Sequence, residues 1–192
     1  QSIKLVFEWL EKSVKTADPE AREKMHNAST MAGMAFANAF LGMSHSMAHK
    51  IGAVHHTVHG RTNAILLPYV IRYNGTRPSK TTTWPKYNYW KADEKFQDIA
   101  KMLGLPHSTP EEAVEAYAKA VYDLGVAVGI KMNFKDQGID EKAWKDSLHE
   151  IALLAYEDQC SPANPRLPMV ADMEEIMADA YYGYAERPGR RK

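Results

Sequence analysis

Five of the eight histidines in this 192-residue chain fall between His45 and His59, so the first question is what imidazoles at that spacing can do. His45 and His49 stand four residues apart in LGMSHSMAHKIG, which on a helix sends both rings off one face, one turn apart. His59 comes ten residues after His49 and opens HGRTNAILLPYV, an apolar run with a glycine at its start. It is therefore expected near the beginning of the next helix, brought back toward the first pair by a bend at Gly52. Neutral imidazole is the common side-chain ligand for Zn, Fe, Ni and Cu, and three such groups on two adjacent elements form a candidate metal site. A solvated histidine run, or histidines hydrogen-bonded at a helix contact, would give the same pattern. Spacing alone nominates His45 and His49 as the chelating pair. It also leaves open a self-contained helical metal-binding protein or hydrolase that adds a carboxylate such as Glu157 or Asp158.

The elements that must position these residues are helical throughout, and no stretch alternates cleanly enough to be a strand. The first helix is expected from Ser2, with Ile3, Val6, Phe7 and Leu10 on one stripe and no polar cap in front of it. Asp18 followed by Pro19 predicts the start of a second helix, in which Met31, Met34, Phe36 and Phe40 read as core and the alanines permit close packing. Pro68 interrupts the run after His59 and should kink it. Residues 75–90 hold two prolines and no periodicity, so a surface excursion held down by Trp84, Tyr87 and Trp90 is expected, and Asn74-Gly75-Thr76 reads as a turn. A helix resumes at Ala92 and ends at Gly104. Thr109 and Glu112 form a capping box for the next one, which carries Val114, Tyr117, Val121 and Leu124. After a connector from Gly129 to Gly138, Asp140 caps a helix whose core face is Trp144, Leu148, Ile151 and Leu154. A proline-rich loop containing Cys160 precedes a last helix, Ala171 to Tyr182, that turns Met173, Ile176, Met177 and Ala180 inward and stops at Gly183. The sum is an all-α fold in one domain, 1–192.

Charge and composition narrow the partners. Lys plus Arg balance Asp plus Glu at 24 each, so there is no basic face for phosphates and nucleic acid is not an expected partner. The basic residues from Arg187 to Lys192 read as a solvated tail. No apolar run reaches the roughly 18 residues of a membrane helix. One cysteine excludes an internal disulfide and fits a reducing, cytoplasmic setting. A chain whose first residues already read as mid-helix is expected to be a piece of a longer one.

The stretch GMAFANAFLGMSHSMAHKIGA...VHGRTNAILLPYVIRYN resembles the signature of iron-containing (group III) alcohol dehydrogenases, G-x-x-H-x-x-x-H followed by P-H-G and N-A-x-L-L-P. With EDQCSPANPR near the end, it is most similar to the alcohol dehydrogenase half of bifunctional aldehyde-alcohol dehydrogenases. Val58 departs from the pattern, standing where the family has proline; this alters loop stiffness more than ligand chemistry. The resemblance implies the C-terminal helical metal and substrate domain of the dehydroquinate synthase-like fold, without the N-terminal α/β nucleotide-binding domain. It assigns His45 and His59, rather than His45 and His49, as metal ligands, the other two ligands lying upstream of Gln1. It places His49 against nicotinamide and substrate as a catalytic proton relay, and Phe36 and Cys160 at the substrate pocket. The implied cofactors are Fe2+, with Zn2+ as the alternative ion, and NAD(H) bound mainly by the absent domain. The implied substrates are short primary alcohols and aldehydes, ethanol and acetaldehyde first, and the isolated piece is expected to be inactive. The implied partners are the rest of the parent chain and further copies in a homo-oligomer that forms filaments, so a role mainly as an assembly surface is a further alternative.

Overall fold

The described residues, 1–78 and 90–183 of a computed structural model, form eight α-helices and one short 3-10 turn, with no strand among them. The helices are α1 (Ser2–Thr16), α2 (Pro19–Ala39), α3 (Met43–His55), α4 (His59–Gly75), α5 (Ala92–Met102), α6 (Pro110–Ala127), α7 (Glu141–Tyr156) and α8 (Val170–Tyr182). The all-α expectation therefore holds, and α8 begins one residue earlier than its sequence pattern suggests.

Three starts are fixed by the side chains the sequence singles out. Asp18 accepts the amide of Ala21 at 2.9 Å with Pro19 in the first turn, and Asp140 accepts that of Ala143 at 2.9 Å. Thr109 accepts the Glu112 amide at 3.2 Å, while the Glu112 carboxylate takes the amide of Ser108 instead of the cap residue's own.

Helix α4 is the wall between two cores. One side of it, Ile65, Leu66, Tyr69 and Val70, is buried with Met43, Met47 and Ile51 of α3, Trp144 and Ile151 of α7, and the apolar stripe of α8. Ile71 instead joins Val114, Tyr117 and Ala118 of α6, over which Ile3, Phe7 and Phe96 fold. Pro68 is buried inside α4, and the helix continues through it to Gly75. A Cβ on Gly75 would sit 2.5 Å from a Val114 methyl carbon, so the α4–α6 approach requires glycine there. Asn74 and Gly75 consequently close a buried helix end and do not form the expected turn.

Other expectations need correction. The connector at 129–138 is no simple spacer: Met132 and Phe134 are core residues, and the amides of Phe134 and Lys135 bond the carbonyls of Ala180 and Tyr181 at 3.1 Å, satisfying the end of α8. Met34 and Phe40, read as core, are 65% and 49% exposed, and Leu154 is 39% exposed. The stripe on α2 marks an apolar face, and apolarity does not specify what covers it. Trp90 donates its indole N–H to the Asn74 carbonyl at 3.0 Å, whereas Trp84 and Tyr87 lie outside the described residues, as does the basic tail.

No helix among the described residues is long and apolar enough to cross a membrane.

Candidate metal and substrate site

The histidine segment is an α-helix, a three-residue reversal and a second α-helix, and the reversal is not where glycine suggested. Helix α3 runs straight through Gly52 and ends at His55, after which His56 adopts the left-handed conformation at φ 54°. Gly52 has no special backbone role there: a Cβ in its place would lie 3.4 Å from the Thr57 carbonyl oxygen, an ordinary contact. The turn is locked from inside by the fully buried Thr62. Its hydroxyl donates to the Val58 carbonyl at 3.0 Å and so accepts from Thr57 at 2.7 Å. His59 therefore starts α4 at a fixed height beside α3.

As a result three imidazoles converge. The ring centroids of His45 and His59 are 5.3 Å apart, those of His49 and His59 are 5.3 Å apart and stacked, and those of His45 and His49 are 6.2 Å apart. Two imidazoles sharing one cation at a metal–nitrogen distance of about 2 Å place their centroids about 5 Å apart, which the tilted His45–His59 pair matches, whereas the stacked rings of His49 and His59 keep their in-plane lone pairs from converging. His45 is half-buried, and its ring makes no hydrogen bond among the described residues. Burial, then the neighbouring His59 and His49, lowers its pKa, so the ring is neutral with a lone pair to offer. His59 is exposed, and Asn63 steadies it: the Asn63 amide nitrogen lies 3.2 Å from His59 Nε2 while its oxygen accepts the Ser44 hydroxyl at 2.9 Å.

His49 is distinguished from the other two by a carboxylate. Asp158, in the turn after α7, places Oδ2 3.2 Å from His49 Nδ1 and 3.1 Å from Lys50 Nζ, and its Oδ1 accepts the Cys160 amide at 3.0 Å. Burial alone would raise the Asp158 pKa, but the Cys160 amide, Lys50 and His49 outweigh it and hold the carboxyl at about 2. The turn is tied to α3 through Ser161, which bonds Ser46 at 3.0 Å, and through Asn164, which takes the Met43 amide at 3.2 Å. Gly42 is required at that junction, since its Cβ would lie 2.8 Å from the Asn164 side-chain oxygen.

Of the two expected pocket residues, one lies beside the imidazoles. Cys160 is 1% exposed, and its sulfur, an Asp158 oxygen and a His49 nitrogen all lie within 4.8 Å of one another. Burial and the Asp158 hydrogen bond push the thiol up to about 11, so it stays protonated. Phe36 is on the outer flank of α2, 48% exposed, and makes no ring contact with the imidazoles among the described residues. Glu157 is exposed, whereas Asp158 is drawn in. The Asp158–His49 contact spans 109 residues of sequence and had no local signal; only the type of residue, a carboxylate in a loop of turn-formers, hinted at it.

Residues 1–181 match the model of the Fe-containing alcohol dehydrogenase family, C-terminal. An aldehyde-alcohol dehydrogenase of Streptococcus pneumoniae serotype 2 is 79% identical over all 192 residues, which make up 22% of that protein. Aldehyde-alcohol dehydrogenase 2 of Entamoeba histolytica is 60% identical over 185 residues, covering 96% of this chain and 21% of that one. Among solved structures, the iron-containing alcohol dehydrogenase of Thermococcus thioreducens superposes with a TM-score of 0.78 at 34% identity, over 95% of this chain and 43% of its own. The chain thus spans about a fifth of the aldehyde-alcohol dehydrogenases it matches.

Proposed function

The chain belongs to the Fe-containing alcohol dehydrogenase family, as its C-terminal part, and from that premise we propose that it contributes half of a metal centre to a longer enzyme interconverting short primary alcohols and aldehydes. The observation that carries this reading is the approach of His45 and His59, on two different helices, to 5.3 Å between ring centroids, with the His45 ring left neutral and without a hydrogen-bond partner among the described residues.

His45 and His59 are the residues that would hold the ion, Fe2+ in first place and Zn2+ as the alternative. What a divalent cation supplies when bound is Lewis acidity toward the substrate oxygen. Two further ligands belong to the remainder of the longer protein. NAD+, held mainly by that remainder, supplies the acceptor for the hydride that leaves the alcohol carbon. The hydroxyl proton must leave as well, and His49 is the acceptor this chain offers, because an imidazole exchanges protons near neutral pH. Ethanol and acetaldehyde are the leading substrates, with Cys160 beside His49; Phe36 stands apart from the imidazoles in this chain, and a place for it at the substrate rests on the resemblance alone. The exposed Met34, Phe36 and Phe40 on α2 are read as covered by the rest of the parent chain or by a further copy in an oligomer. The setting is read as cytoplasmic, in keeping with a single, buried thiol.

The test is metal content. In the longer protein, His45→Ala and His59→Ala are each expected to lose bound iron on dialysis and, with it, NAD-dependent ethanol oxidation, whereas His49→Gln keeps the iron and retains only a small, measurable fraction of its turnover. Full iron retention by His59→Ala would remove the reading.

A further inference from the structure

We propose that Asp158 is a positioning residue that holds His49 in the Nδ1–H tautomer, so that Nε2 is the nitrogen left free to take the alcohol proton. The inference rests on the reading of His49 given above. It starts from the fixity of the carboxylate. The Asp158 side chain is 8% exposed and is held by three donors, His49 Nδ1, Lys50 Nζ and the Cys160 amide, at 3.2, 3.1 and 3.0 Å. The turn that carries it is itself tied down, because Ser161 bonds both the Ser46 hydroxyl at 3.0 Å and the Ala155 carbonyl at 2.6 Å. Neither the anion nor the helix it faces is free to shift.

The assignment of the proton follows from what each partner can do. A carboxylate held at about 2 has no proton to donate, so in the His49–Asp158 contact the imidazole must be the donor. A neutral imidazole carries one N–H; with Nδ1 donating, the lone pair is on Nε2. Left to itself, imidazole populates both tautomers, and a ring that presents N–H to a substrate hydroxyl cannot accept its proton. Asp158 removes that unproductive state and fixes the ring plane at the same time.

The same cluster also resembles a small cation site, since His49, Asp158 and Cys160 offer an imidazole, a carboxylate and a thiol close together. Two features argue for orientation instead. Lys50 already neutralises the carboxylate and would repel a cation, and Cys160 keeps its proton because burial and Asp158 both disfavour the thiolate.

The experiment is a double-mutant cycle in the longer, iron-loaded protein with four forms: wild type, Asp158→Asn, His49→Gln and the double variant, with Asp158→Glu alongside. Asp158→Asn is expected to lower kcat roughly 10- to 100-fold, the range for a group that orients an active-site imidazole, with KM and bound iron unchanged. In the His49→Gln background it is expected to cost nothing more, because its only route to the reaction is gone. Asp158→Glu, which keeps the charge on a longer arm, should recover part of the loss. An equal penalty for Asp158→Asn with and without His49, or loss of iron, would show a role in folding and overturn the proposal. A wild-type Asp158→Asn beside an impaired His49→Gln overturns this inference alone. A fully active His49→Gln overturns the His49 reading and this inference together.

Discussion

The chain contains the same histidine spacing twice within fifteen residues, His45 with His49 and His55 with His59, and the structure treats the two pairs in opposite ways. The first pair lies wholly within α3, and both of its rings come within 5.3 Å of the His59 ring, centroid to centroid. The second is divided by the left-handed residue His56, so His59 joins the first pair and His55 turns to the interior. There His55 stacks on Trp144 with centroids 5.2 Å apart and bonds the Ser147 hydroxyl at 3.0 Å. That hydroxyl gives its own proton to the Ala143 carbonyl at 2.9 Å, so His55 is the donor and its imidazole is a structural bracket between α3 and α7. Spacing decides chemistry only while the helix is unbroken; one backbone dihedral reassigns a residue from packing to the site.

The largest effect on the interior member of this comparison comes from removing the surface it rests on. Trp144 is 2% exposed and stacks on His55, Phe134 and Tyr181. Trp144→Ala is expected to cost about 3–5 kcal/mol in urea unfolding, the range for deleting a buried aromatic ring. Its indole N–H has no partner among the described residues, so Trp144→Phe forfeits no hydrogen bond and should cost much less. If the two substitutions cost the same, the ring stack is not what seats His55.

A smaller effect separates the pairs directly. His55→Ala is expected to destabilise the chain by roughly 1–2 kcal/mol, from one lost hydrogen bond and one lost ring contact, while leaving bound iron in the longer protein unchanged. The loss should depend on pH. Burial, then His56, lowers the His55 pKa below its ordinary 6.5. Above that value the ring is neutral in both folded and unfolded chains, and its contribution is complete. As pH falls below 6.5 the unfolded chain takes the proton first, so stability declines until the folded-state pKa is passed and then levels. His55→Ala should make that acid-side decline shallower. It will not abolish it, because burial lowers the pKa of His45 as well. An unchanged slope in stability against pH would return His55 to the class of solvated histidines.

The contrast also marks what the sequence could and could not say. Helix starts at Asp18, Thr109 and Asp140 were legible because a cap is a local transaction between a side chain and an amide three residues on. The convergence of His45 and His59 was legible from an i, i+4 pattern, a short link and a resemblance that covers the whole chain. The place of the reversal was not: Gly52 is permitted to bend but stays inside α3, while the positive φ falls on His56, a residue type that tolerates it better than most but stands beside another histidine that does not adopt it. Asp158 was legible only as one of two carboxylates that could join the histidines; that it and not Glu157 meets His49 is set by how α7 packs across α3. The stripe on α2 failed in a third way. Periodicity correctly made Met34 and Phe40 one apolar face, but burial is a property of the neighbour and not of the stripe.

The smallest effect concerns the dividing residue itself. His56 is exposed, and its φ of 54° and ψ of 35° place a non-glycine residue in the left-handed well. Holding an L-residue there costs about 1 kcal/mol, which His56→Gly would relieve. Glycine also widens the unfolded ensemble, a loss of about 0.4–1 kcal/mol. The two terms nearly cancel, so His56→Gly is expected to stay within about 0.5 kcal/mol of the parent. His56→Val meets the same dihedral with a β-branched side chain that tolerates it poorly, and should lose about 1–2 kcal/mol. Because the side chain projects to solvent, a difference between these variants reports the backbone alone. Equal stability for glycine and valine would mean that the turn can relax out of the left-handed well, and then His59 would not be held at a fixed height against His45.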